Sequence, residues 1–205
     1  MATSGLDNER AILQIGAVHS YHSYKKFNGY IQPGRPIHQK ATEQHGYTTD
    51  DSYTKLFNKH GHELHCLDIQ TQLQCFMNWM YTNFRGRVVL VSHKNFGFHA
   101  KTLLENLEKY NISYQKIAGF ADSLAMCRNI YPKQPHNLED MIKALDITLY
   151  KGKALSYHAL DRAYAIRRLV KRLAYEEQTS FSRFVRQPEH YRTTNQIIQA
   201  NMREE

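Results

Sequence analysis

The sequence predicts an α/β fold in which a mixed β-sheet is covered by helices. Two patterns carry that expectation. Ala11 to Val18 and Lys25 to Gln32 alternate apolar and polar residues, as two strands joined by a short turn do. After them, apolar residues recur at helical spacing in several stretches, interrupted by the short apolar run Val88 to Val91. Strands first, then helices alternating with strands, is the order of a mixed sheet.

Taken in chain order, each element has its own signal. Ile69, Leu73, Phe76 and Met80 line one helix face, with Asp68 placed as its N-cap. Val88 to Val91 suits a buried parallel strand, whose two covered faces need apolar side chains throughout. Phe98 with Leu103, Leu104 and Leu107 marks a second helix; Leu138, Met141, Ile142 and Leu145 mark a third, opened by Asn137. Asp122 is placed to cap the helix that follows it. The last long helix turns Leu160, Ala163, Leu169, Val170 and Leu173 inward. From about Glu176 the apolar pattern thins, so residues 1–175 read as one domain and 176–205 as a basic tail. Within that tail, Thr194 to Met202 forms one weak helix that docks on the core or on a partner. The length suits a single domain with a sizeable core, and no repeat or low-complexity stretch is present.

The formal net charge of +8 attracts polyanions without sequence preference. Much of it has a location. Arg167, Arg168, Lys171 and Arg172 crowd the end of the last long helix, and Arg183, Arg186 and Arg192 follow. Such a face is either solvated or in contact with phosphate. Tyr21, Tyr24, Tyr30, Tyr47 and Tyr53 cluster in the first part of the chain; among basic residues, aromatics stack exposed bases, while in strands they half-bury. No apolar run is long enough for a membrane span and no signal-peptide pattern opens the chain, so no membrane partner is expected. Cys66, Cys75 and Cys127 are too few and scattered for a disulfide framework, which suits a reducing compartment, nucleus or cytoplasm. The run HGHELHC offers His60, His62, His65 and Cys66 as zinc ligands, but it lacks a matching second pair and otherwise reads as a solvated His-rich loop.

Five segments in order resemble one family. ATSGLDNERAILQIGAV (Ala2 to Val18) is similar to the stretch after the first acidic pair of DEDDh 3′–5′ exonucleases. KKFNGYIQPGRPIHQKATEQHGYT (Lys25 to Thr48) resembles the strand, Ala-Thr-Glu segment and Gly turn that come next. LVSHKNFGFHAKTLL (Leu90 to Leu104) is similar to the second motif, GFADSLAMCRNIYP (Gly119 to Pro132) to the following strand and turn, and SYHALDRAYAIRRL (Ser156 to Leu169) to the third motif, His-x-Ala-x-x-Asp. The spacing resembles that of three-prime repair exonucleases and of the exonuclease-like C-terminal domain of promyelocytic leukaemia proteins. This resemblance implies a ribonuclease H-like mixed sheet. It also implies that the first central strand is missing or truncated, because the chain starts where that strand should already have passed.

In the family, four carboxylates hold two Mg²⁺ ions and a His deprotonates the attacking water. Carried over by position, the first Glu falls on Ala2, its Asp lies upstream of Met1, the second-motif Asp falls on His99, and the third-motif His and Asp fall on Tyr157 and Arg162. No expected group is retained, and Arg162 puts a fixed cation where a metal should sit. His158 and Asp161 stand one residue away, but one residue on a helix rotates a side chain by about 100°. With Asp122 they are weak metal candidates. For the interrupted sheet three explanations stand: the true start lies upstream, the second strand closes directly on the strand at Val88, or a partner chain donates the missing strand.

Three functions follow as expectations. The first is a domain that binds single-stranded DNA or RNA without cleaving it, with His99, Arg162, Arg167, Arg168, Lys171 and Arg172 at phosphates. The second is a protein-interaction or homodimerisation domain on an exonuclease scaffold. The third is a residual 3′–5′ exonuclease with a rebuilt site, the only case that calls for Mg²⁺ or Mn²⁺. No other cofactor is implied.

Overall fold

Alternation in the first fifty residues produces short strands around a hairpin. The structure, a computed structural model, describes residues 1–5, 10–93, 96–149, 155–177 and 181–191. They fall into two units: Met1–Asn83 with Asp146–Arg168, and Phe84–Leu145 with Leu169–Glu205.

The first unit opens with Ala2–Thr3 (β1), Ile12–Val18 (β2) and Lys26–Ile31 (β3). It continues through Gln39–His45 (α1), Thr48–Thr49 (β4), Leu56–Phe57 (β5), Glu63–Leu64 (β6), Cys66–Leu67 (β7) and Ile69–Asn83 (α2). β1, β2 and β3 form an antiparallel meander, to which β7 adds in parallel beside β3. The first strand is therefore present as two residues, with Ala2 opposite Gln14 and Thr3 opposite Ile12. β2 pairs with β1 on one side and β3 on the other. β4, β5 and β6 make a small second sheet. α1 ends at Gly46, whose φ of 72° is the left-handed cap that glycine adopts without a Cβ penalty. Asp68 caps α2 as expected, its Oδ1 accepting from the Thr71 N–H at 2.9 Å.

α2 buries Leu73, Phe76, Met77 and Met80. Ala159–Glu177 (α6) begins in this unit, where its first turn meets β2 at Gly16. A Cβ on Gly16 would lie 2.3 Å from the Leu160 backbone nitrogen, so only glycine lets strand and helix backbones approach this closely. Inward positions of α6 are Leu160, Ala165, Leu169 and Leu173; the expected Ala163 and Val170 are only half-buried.

The second unit holds Val88–Ser92 (β8), Phe96–Lys109 (α3), Ile117–Asp122 (β9), Ser123–Ile130 (α4) and Leu138–Ala144 (α5). β8 is parallel to β9 as expected, but it is not a buried strand: Val89 and Val91 are each 38% exposed. Among the described residues β9 is its ladder partner, and β8 is the last strand of a sheet ordered β10-β9-β8. Val185–Arg186 (β10) pairs antiparallel with β9, and Tyr191 sets its ring edge-on to Phe120 at 5.3 Å. Thr194 to Met202 lies outside the described residues. Asn137 caps α5 and Asp122 caps α4 through side-chain bonds of 2.8 Å to Asp140 N–H and Leu124 N–H. No helix among the described residues is long and apolar enough to cross a membrane.

Gly16→Ala should lower stability by about 2 kcal/mol or more, since the new methyl meets backbone that cannot give way. Gly86→Ala, with nothing within 4 Å of the added Cβ, should be near neutral; paired thermal melts check both, and equal shifts would contradict the close approach.

Candidate nucleic-acid interface

The third-motif segment is positioned by a buried amide. Gln14 sits within the run Ile12, Leu13, Gln14, Ile15, all buried. An unpaired amide there would cost several kcal/mol, so it must find partners. Its Oε1 accepts from Tyr47 Oη–H at 2.8 Å and from Ala159 N–H at 2.9 Å. That fixes which end of the amide is which. Nε2 then donates to Asn28 Oδ1 at 2.7 Å and to His158 Nε2 at 2.9 Å. The Tyr30 hydroxyl meets the same imidazole nitrogen at 2.6 Å.

His158 is thereby accounted for. Its Nε2 carries the lone pair and faces Gln14 and Tyr30, so the imidazole is neutral with its proton on Nδ1. Burial lowers its pKa from 6.5 more than Asp161 raises it. Burial likewise pushes the Tyr47 hydroxyl well above the usual tyrosine range, helped by the neighbouring Tyr30. Asp161, in the exposed first turn of α6, accepts from Ser156 Oγ. Asp122 is buried and spends an oxygen on capping α4. Among the described residues no three His, Cys, Asp or Glu side chains gather as a metal would require.

The positions of the family's acids hold other chemistry. Ala2 is 9% exposed and packs with Leu13, Tyr47 and Leu56, with Tyr30 and Cys66 alongside. A carboxylate at that point would be buried among apolar groups. Arg162 lays its guanidinium 5.2 Å from the Tyr157 ring centre, a cation–π pair on the half-exposed start of α6. In the second unit, His99 is half-buried on α3 and its ring lies 5.5 Å from that of Phe98. Ala2, Tyr157 and Arg162, all of the first unit, do not fit a two-Mg²⁺ centre, which needs several carboxylate oxygens.

The basic residues divide by what they touch. Arg167 Nε donates to the carbonyls of His19 and Ser20 at 3.0 and 2.9 Å, and its Nη2 to that of Tyr21 at 3.1 Å. It clamps the β2–β3 turn. Arg172 pairs with Glu176 at 2.8 Å, one turn along the helix. Arg168 is half-buried and Lys171 exposed. Arg183, beyond the helix, donates to Asn129 Oδ1 at 2.8 Å. The aromatic cluster divides as well: Tyr30 and Tyr47 belong to the Gln14 network, whereas Tyr21 and Tyr24 are exposed.

The HGHELHC run does not converge on one point. His60, His62 and His65 are exposed, while Cys66 turns into the apolar cluster with Leu64, as strand alternation demands. Burial pushes the Cys66 thiol up to about 11, away from the thiolate that zinc needs. In the second unit His93 is also structural, its Nε2 2.9 Å from the His136 carbonyl and its Nδ1 2.8 Å from Ser123 Oγ. Sequence reading passed over Gln14, Tyr30 and Tyr47 as a set; a lone glutamine inside ILQIGAV was the signal available.

His19, His45 and His158 all use a ring nitrogen as acceptor, and burial lowers each from 6.5. His19 Nδ1 takes the N–H groups of Tyr21 and His22, and His45 Nδ1 takes that of Tyr47. Below pH 6.5 the unfolded chain binds these protons first, so their contribution is full above that value and is lost as pH falls through the lower folded pKa values. Thermal melts should therefore shift down between about pH 7.5 and pH 5; a flat or rising midpoint would contradict the neutral assignment.

Among solved structures, the chain is similar to exonuclease X in complex with 5′ overhanging duplex DNA: TM-score 0.59, 13% identity, 89% of this chain and 92% of that one covered. No protein-family model matches. No curated protein matches either. The chain has an exonuclease-like, ribonuclease H-like α/β fold, with sheets flanked by helices.

Proposed function

We propose that this chain is a degenerate DEDDh domain, akin to three-prime repair exonucleases and the promyelocytic leukaemia C-terminal domain, that binds single-stranded nucleic acid without cleaving it. One observation carries the reading: the segment resembling the third motif presents a stacked Tyr157–Arg162 pair where the family has His and Asp. A guanidinium is suited to bidentate bonds with phosphate, and it repels rather than recruits Mg²⁺. The solved structure of exonuclease X holds DNA, which makes a nucleic-acid partner plausible for a chain of this fold. Arg162, Arg168, Lys171 and His99 are the phosphate contacts of this reading, and Arg167 acts by positioning the hairpin. The three free thiols suit the nucleus or cytoplasm.

A second reading, association with another polypeptide or another copy, has support in β8. That strand ends its sheet and leaves Val89 and Val91 exposed, a pattern that invites pairing. Light scattering over a concentration series distinguishes it, because only this reading needs a dimer.

Fluorescence anisotropy with a labelled single-stranded oligonucleotide tests the first reading. Binding should weaken steeply with added salt, and Arg162→Ala should reduce affinity about tenfold, the loss of one charge-assisted contact. Salt-independent binding, or an Arg162→Ala variant indistinguishable from the parent, would overturn it.

A further inference from the structure

The turn between β2 and β3 carries four rings in sequence and little else. His19 is buried beneath the turn; Tyr21 and Tyr24 are 78% and 74% exposed. Ring centres run from Tyr21 to His19 at 6.3 Å, from His19 to His22 at 4.9 Å, and from His22 to Tyr24 at 5.6 Å. Lys25 and Lys26 follow directly.

The turn is held more firmly than an exposed loop of its length requires. His19 N–H bonds the Lys25 carbonyl and Lys25 N–H the His22 carbonyl, each at 2.9 Å. His19 Nδ1 accepts from two backbone N–H groups inside the turn. From α6, Arg167 takes three successive carbonyls and Tyr164 Oη–H donates to the Ser23 carbonyl at 3.0 Å. Most of the turn's backbone carbonyls and several of its N–H groups are thus tied down, while the rings of Tyr21 and Tyr24 are left in water. Fixing the frame in advance removes the ordering cost that a flexible loop bears on binding.

We propose that this turn is a base-stacking platform for single-stranded nucleic acid, with Tyr21 and Tyr24 as the stacking faces and Lys25 and Lys26 drawing in the backbone. The assignment rests on the nucleic-acid-binding reading and adds where the bases go. Flat rings among cations suit a strand with unpaired bases, because every base has a π-face and no base-specific hydrogen bond is needed. Arg167 is a positioning residue here: its donors go to the turn's carbonyls.

The test compares an oligonucleotide with a sugar–phosphate strand of equal length that lacks bases. The parent should prefer the base-bearing strand by about tenfold or more. Tyr21→Ala with Tyr24→Ala should abolish that preference and leave binding of the baseless strand and the salt slope unchanged. Tyr21→Phe with Tyr24→Phe should keep the preference, since the ring stacks and not the hydroxyl. Circular-dichroism melts of both double variants should match the parent, because both side chains are exposed. Retention of the preference in the alanine variant, or no preference in the parent, overturns the platform and leaves phosphate binding standing. Failure of the parent to bind either strand overturns both.

Discussion

Gln14 is the constraint on which the first unit depends. A primary amide has two acceptor sites and two donors, and a buried one is tolerable only when nearly all are used. Here Tyr47, Ala159, Asn28 and His158 use all four. Those partners come from β3, the segment after α1, and the start of α6. One side chain therefore ties the central strand to three parts of the chain far apart in sequence. Gly16, two residues on, allows α6 to descend close enough for the bond to Ala159 N–H to form. Because Gln14 fixes the helix at its first residue, it also fixes where Tyr157 and Arg162 stand.

This anchoring also decides what the groups near the motif-like positions do. His158 is one residue from the family's His position, yet its lone pair is turned to Gln14 and Tyr30. Ala2, at the position of the first Glu, has joined an apolar cluster. Arg162 rests on an aromatic ring. The fold is exonuclease-like, and the positions that the sequence resemblance matches to the family's catalytic groups carry an apolar methyl, an aromatic ring and two basic side chains.

Elements with local signals were legible in the sequence. The caps at Asp68, Asp122 and Asn137 and the apolar stripes of α2, α3 and α5 needed only spacing to be found, because a helix satisfies its hydrogen bonds within itself. Strands of two residues were not. β1, β4 to β7 and β10 exist through pairing with partners elsewhere, and two residues show no periodicity. Val88 to Val91 misled for a related reason: an apolar run says that a strand is present, not how many neighbours it has. The Gln14 network spans 33 residues to Tyr47 and 145 to Ala159, so its members read separately as an odd glutamine and ordinary tyrosines. The contacts of Ala2, Tyr157 and Arg162 were not legible either, because each depends on neighbours set by the fold.

On the proposed function, this exonuclease-like fold holds a strand without cutting it. The most direct measurement incubates the purified chain with a 5′-labelled single-stranded oligonucleotide in Mg²⁺ and, separately, in Mn²⁺, scoring mobility shift and shortening in parallel. The account predicts a shift with a strand of unchanged length in both metals. Stepwise shortening, abolished by Asp122→Ala or His158→Ala, would contradict it and mean that a rebuilt site performs the chemistry.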